Sequence, residues 1–184
     1  MRTVQAVTRS RALIVLATLA LALTACDSTV HGNPTTTTPT SGLSSSSPSS
    51  NDPFAAVSPC TILDQALGGE GYPAAAPDLA DPKHSCSVDK PSYGTVALSL
   101  QAGQTYEQNI PDPSKAHTGD VNGRPAVQIP ERLGDKGACD IAMEVKPGSR
   151  ATVVIVLLSR NTTEACDYAG KAATKIERLL PKIS

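Results

Sequence analysis

Few residues in this 184-residue chain have side chains suited to chemistry. Five are cysteines, Cys26, Cys60, Cys86, Cys139 and Cys166, and three are histidines, His31, His84 and His117. Thiols ligate metals, exchange electrons or pair as disulfides. Zinc sites bring cysteines together in pairs spaced about two to four residues apart. No such pair and no C-x-x-C occurs here, so no metal, redox centre or cofactor is expected. His84 has Asp81, Lys83 and Asp89 beside it, and Ser85 and Ser87 as hydroxyls. A hydrolase set can be drawn from these residues. The simpler reading is a polar junction between loop and strand. The chain has no G-x-S-x-G elbow, no H-E-x-x-H helix and no phosphate-binding glycine loop. Asp140 and Asp167 each follow a cysteine and are expected to face solvent.

Cys26 stands apart from the other four. Residues 1–25 carry Arg2, Arg9 and Arg11 and no acid, and Ala12 to Ala25 is an uncharged apolar run. Those fourteen residues fall short of the roughly 20 that a membrane-spanning helix needs, and they fit the apolar centre of an export signal. Leu23-Thr24-Ala25-Cys26 resembles the bacterial lipobox. The resemblance implies that a diacylglycerol is joined to the Cys26 sulfur and that a signal peptidase cuts before it. Two acyl chains, at about 0.8 kcal/mol per buried methylene, are enough for stable anchoring. The expected location is the outer face of the cell membrane. Loss of three arginines leaves 13 basic against 17 acidic residues, a net charge of −4, which argues against nucleic acid as a partner.

Residues 27–52, rich in Ser, Thr, Pro and Gly, hold only Val30 and Leu43 as aliphatics. Such a segment cannot bury enough surface to offset the entropy of ordering, and it reads as a tether spanning about 30 Å on average. His31 lies within it. Residues 53–184 form the expected single domain, with an aliphatic core because the chain has one Phe, four Tyr and no Trp.

The elements that position the remaining cysteines follow from periodicity. Ser58 and Pro59 are a cap and first-turn pair for a short helix whose Ile62, Leu63, Ala66 and Leu67 share a side. The stretch "GGEG" at 68–71 stops it. Strands are expected near His84–Val88 and over 95–101, 125–129, 139–145 and 151–159. Val96, Leu98 and Leu100 point one way along the second of these, and Cys139, Ile141, Met143 and Val145 along the fourth. The last is apolar on both faces and should be central and covered on both sides. Residues 103–120 read as a polar loop, and Asn122-Gly123 as a turn. From about Thr163 to Leu180, Ala165, Cys166, Ala169, Ala172, Ala173, Ile176, Leu179 and Leu180 make a helical stripe. Asn161, in a glycosylation-type triplet, or Thr162 can cap it. The expectation is an α+β fold, an antiparallel sheet of about four to five strands packed by a short N-terminal helix and an amphipathic C-terminal helix.

Cys60, Cys86, Cys139 and Cys166 allow three disulfide connectivities. Cys60–Cys86 with Cys139–Cys166 is favoured, because each pair joins a helix start to a strand and closes a loop of under thirty residues. Each closure is worth roughly 3 kcal/mol on the chain-entropy model.

The order of several short motifs resembles the actinobacterial lipoprotein family of unknown function, number 3558 in the domain-of-unknown-function series. The motifs are the lipobox and tether, "SPCTIL", "SCSV", Gly123-Arg124-Pro125-Ala126, "ACDIAMEV", and Cys166-Asp167-Tyr168-Ala169 on a helix ending "LLP". The chain has Ser58 where members often carry Asp, and Val88 where they often carry an aromatic residue. The resemblance implies lipidation and a sheet-and-helix domain but no activity. The expected function is a non-catalytic envelope lipoprotein that binds a protein, a wall component or a small apolar ligand through its sheet face or the loops 68–82 and 102–120. An accessory subunit of a type VII secretion-like export apparatus, suggested only by a family-level association, is the alternative, and a hydrolase using His84 comes third.

Overall fold

A computed structural model describes residues 52–182. The expected export signal, Cys26, His31 and all of the expected tether except Asp52 lie outside the described residues.

Helix α1 (Pro59–Ala66) begins where the sequence signals it. The Ser58 hydroxyl accepts from the Thr61 amide at 3.3 Å, and Pro59 opens the first turn. Seven strands follow: β1 (Ala76–Pro77), β2 (Ser85–Lys90), β3 (Gly94–Ala102), β4 (His117–Val121), β5 (Arg124–Pro130), β6 (Ala138–Lys146) and β7 (Ser149–Leu157). They form one sheet in the order β1-β2-β3-β7-β6-β5-β4, antiparallel at every pairing. Helix α2 (Thr162–Glu177) ends the fold, capped by the Asn161 side chain, which accepts from the Glu164 amide at 3.2 Å.

The expectation of four to five strands is therefore wrong, although the α+β class holds. The two unforeseen strands are the two edges. β1 is two residues in a Gly/Pro-rich stretch, and an edge is where a strand proline is tolerated. β4 reads His-Thr-Gly-Asp-Val and buries only Val121, so it shows no alternation. Its existence is nevertheless implied by Asn122-Gly123. Both residues adopt left-handed backbone (φ 54° and 82°), the geometry of a two-residue hairpin, and Val121 pairs with Arg124 across it. A hairpin turn needs a strand on each side.

One face of the sheet is dry. Val88, Val96, Leu98, Ile141, Met143, Val153 and Ile155 lie beneath α1, which covers β2 and β3, and α2, which covers β6 and β7. Each fully buried Leu, Ile or Val is worth about 1.5–3 kcal/mol. Ala165, Ala169 and Ala173 are fully buried on α2, and their small side chains bring the helix close to the sheet. The disulfides join Cys60 on α1 to Cys86 on β2, and Cys139 on β6 to Cys166 near the start of α2.

The other face is covered differently. β7 is central, as expected, but it is not buried on both sides: Arg150, Thr152, Val154 and Val156 are only half-buried. Among the described residues no α-helix or strand packs there. The loop 103–116 does so instead, setting Tyr106, Ile110 and Ala116 against Val127, Ile129 and Ala142. Arg150 fastens the loop. Its Nε donates to Gln101 Oε1 (2.6 Å), its Nη2 to Gln104 Oε1 (2.9 Å), and its Nη1 to the carbonyls of Thr105 and Gln108.

Candidate functional site

Of the sequence-selected groups, the His84 set comes together only in part. Nδ1 of His84 lies 3.1 Å from Asp81 Oδ1, and Nε2 lies 3.4 Å from Asp52 Oδ2. The Ser85 hydroxyl pairs with Ser99 at 2.8 Å, and Asp89 accepts from Thr95. Two carboxylates on one imidazole make a polar clasp where the chain enters the domain. Among the described residues no serine hydroxyl is hydrogen-bonded to that ring, so the arrangement lacks the nucleophile–base contact of a hydrolase. No group of three or more His, Cys, Asp or Glu able to hold a metal occurs among the described residues.

The Gly-Arg-Pro-Ala motif proves to be a structural lock. Arg124 is 3% exposed at the start of β5. Its Nε and Nη2 donate to Glu177 Oε1 at 3.2 and 3.1 Å, its Nη1 to the Glu144 carbonyl at 2.9 Å, and its Nη2 to the Pro181 carbonyl at 3.0 Å. Asn122 Nδ2 donates to Glu177 Oε2 at 3.0 Å. The turn motif and the terminal Leu-Leu-Pro thus meet around one guanidinium. Burial pushes the Glu177 carboxyl up, but the hydrogen bonds from Asn122 and Arg124 and the Arg124 charge outweigh it and hold it below the usual range. The sequence carried a signal that was missed. Glu177 falls four residues after Ala173 and three before Leu180, a charge on an apolar stripe, and such a charge needs a buried partner.

Two concavities lie on opposite faces of the sheet. The larger, about 580 Å³, is a groove between α2 and the edge strand β4. Helix α2 sits over the centre of the sheet and leaves β4 and β5 partly uncovered. Gly119, Ala126 and Gly170 keep the groove open, Asp167 and Lys171 give it charge, and the His117 imidazole adds a polar group. β4 pairs with β5 on one side and, among the described residues, has no strand on the other.

The smaller, about 130 Å³, lies on the loop-covered face and is lined by Gln101, Asn109, Arg132, Asp140, Arg150 and Thr152, among others. Here a second expectation fails. Asp140 does not face solvent; it is 2% exposed. Alternation correctly sets it opposite Cys139, but that face is roofed by the loop 103–116 and by the turn at Arg132–Gly134. Asp140 Oδ2 lies 3.2 Å from Arg132 Nε. Asp140 Oδ1 and Thr152 Oγ1 are buried with no hydrogen-bond partner. Burial pushes the Asp140 carboxyl up to about 6, opposed by Arg132 and Arg150. Asp167, by contrast, is exposed.

Two disulfides tying helices to an antiparallel sheet define an α+β domain suited to an oxidising, extracytoplasmic compartment. Among the described residues no helix is long and apolar enough to cross a membrane. The chain belongs to the family described as protein of unknown function (DUF3558), whose model matches residues 21–178. No curated protein and no solved structure matches it.

Proposed function

We propose that this protein is a lipid-anchored envelope lipoprotein whose domain holds an extended segment of a partner protein in the groove between α2 and β4. The observation that carries the reading is the edge of β4, unpaired among the described residues, beside a groove of about 580 Å³. A free edge offers unpaired backbone groups to an added strand, and the groove receives alternate side chains of that strand. The mixed lining, with His117, Asp167 and Lys171 among small residues, suits a polar peptide better than an apolar ligand. Attachment through Cys26 is supported by the lipobox and by a family match that starts at residue 21 and so includes it. Catalysis has no part in this reading.

A photo-crosslinking residue at Thr118 or Lys171 in intact envelopes should capture one partner, and the same residue at Lys83 should not. A Cβ on Gly170 would meet nothing within 4 Å, so Gly170→Phe should fill the groove without disturbing the fold and should abolish capture. Equal capture from Lys83, or capture that survives Gly170→Phe, would refute the groove. For the anchor, Cys26→Ser should leave the membrane fraction and lose the mass of the lipid.

A further inference from the structure

The pocket around Asp140 is separate from the groove, and its chemistry is more specific. We propose that it binds a small carboxylic acid bearing a hydroxyl or amino group on the carbon next to the carboxylate. Three features support this assignment.

The first is the pairing of unused groups. Arg132 comes nearest to Asp140 through Nε, and among the described residues no hydrogen bond joins its two terminal nitrogens to another residue. A guanidinium fork open to solvent on one side takes a carboxylate with two parallel hydrogen bonds. Asp140 Oδ1 is an acceptor without a donor, and the Thr152 hydroxyl, able to donate or accept, has no partner either. A ligand that brings only a carboxylate answers the arginine and leaves the aspartate unpaired. One that brings only a donor does the reverse.

The second is span. Arg132 Nε and Asp140 Oδ2 are already 3.2 Å apart, so a single ligand must serve both residues over a short distance. A donor on the carbon adjacent to the carboxylate meets that requirement. A donor farther along a chain does not.

The third is size and charge. About 130 Å³ accommodates a few waters or a molecule of about five or six heavy atoms. Arg132 and Arg150 against Asp140 leave the site with one positive charge in excess, complementary to a monoanion. Arg150 is already committed to the loop through Gln101, Gln104, Thr105 and Gln108. It therefore acts as a positioning residue, holding the loop that roofs the site, and leaves ligand contact to Arg132, Asp140 and Thr152.

The test is a calorimetric titration of the purified protein at pH 7 with glycolate, lactate, glycine, alanine and propionate. At least one of the first four should bind saturably. Propionate has the length of lactate without its hydroxyl, leaves Asp140 Oδ1 unpaired, and should bind at least about tenfold more weakly. Arg132→Gln changes a half-exposed side chain outside the core and should weaken binding by at least about tenfold, with unchanged circular dichroism. Asp140→Asn should weaken it comparably. Absence of saturable binding by all four acids, equal binding of propionate, or indifference to Arg132→Gln would each overturn the proposal. Gly170→Phe, which fills the groove, should leave the titration unchanged, so the two sites can fail independently.

Discussion

Among the described residues two arginine–carboxylate pairs have a buried acid, and they are built to different standards. At Arg124–Glu177 both partners are buried. The acid receives hydrogen bonds from two residues, and the arginine also serves the Glu144 and Pro181 carbonyls. At Arg132–Asp140 the acid is also buried, but the arginine side chain is 50% exposed and one carboxyl oxygen has no partner. Both acids are largely desolvated, Asp140 the more so (its side chain 3% exposed against 9%), and they differ further in how they are answered. The carboxyl pKa values follow from both: burial raises Glu177, but hydrogen bonds from Asn122 and Arg124 and the Arg124 charge hold it below its ordinary value, whereas deeper burial, only partly opposed by Arg132 and Arg150, holds Asp140 above it. A fully answered pair behaves as part of the scaffold. A half-answered one has capacity left over, and that is the physical sense in which the second is a candidate site.

The comparison can be broken most forcefully at Arg124. Arg124→Ala strands the Glu177 charge in a buried position and should cost about 3–5 kcal/mol in urea unfolding. The double variant Arg124→Met, Glu177→Leu should recover most of that loss. If Arg124→Ala costs under about 1 kcal/mol, the lock is not a lock.

Next in size is pH dependence, where the two acids should act with opposite sign. Asp140 has a folded value of about 6 against a reference of 3.8. The folded state therefore holds this proton more tightly than the unfolded chain does, and stability falls as pH rises from about 4 to about 6. The loss should reach about 2–3 kcal/mol relative to Asp140→Asn, which lacks the titration. Glu177 is shifted the other way, so its contribution is present above the unfolded value and is lost as pH falls through the lowered folded value. Denaturation of wild type, Asp140→Asn and Glu177→Gln across pH 3–8 separates the two slopes.

A smaller effect is expected at Asn122, which donates to Glu177 and holds left-handed backbone at φ 54°. Asn122→Ala loses both and should cost about 1–2 kcal/mol. Asn122→Gly, which keeps the backbone and loses only the hydrogen bond, should cost less. The smallest effect belongs to the exposed Lys115–Glu131 pair at 3.4 Å, where Lys115→Ala should change stability by less than about 0.5 kcal/mol.

What could be read in the sequence was local. Ser58-Pro59, the alanine stripe of α2 and the alternation of β3 and β6 each carry their structure in neighbouring residues. The bridges join the pairs that short loops favour, because each cysteine lies on one of those readable elements. β4 was hidden because a strand at an edge, solvated on both faces, has no reason to alternate. Its turn was legible and its body was not. Asp140 illustrates a different limit. Alternation fixes which face a side chain points to, but not what covers that face. The cover is a loop whose Tyr106 and Ile110 look like stray apolar residues until they meet Val127, Ile129 and Ala142. The groove exists because α2 stops short of covering β4 and β5, a matter of packing that no single stretch of sequence records.

The disulfides also determine how the fold would respond to mechanical tension between the two ends of the domain. Each bridge is a covalent shortcut: force entering at Cys60 leaves through Cys86, and force reaching Cys139 leaves through Cys166. Residues 61–85 and 140–165 carry none of it, so all of β7 and most of β6 stay slack while the chain on either side is drawn straight. At about 3.4 Å per extended residue, the oxidised domain should stretch roughly 170 Å less than the reduced one before it is taut. The centre of the sheet is thus the part that pulling reaches last.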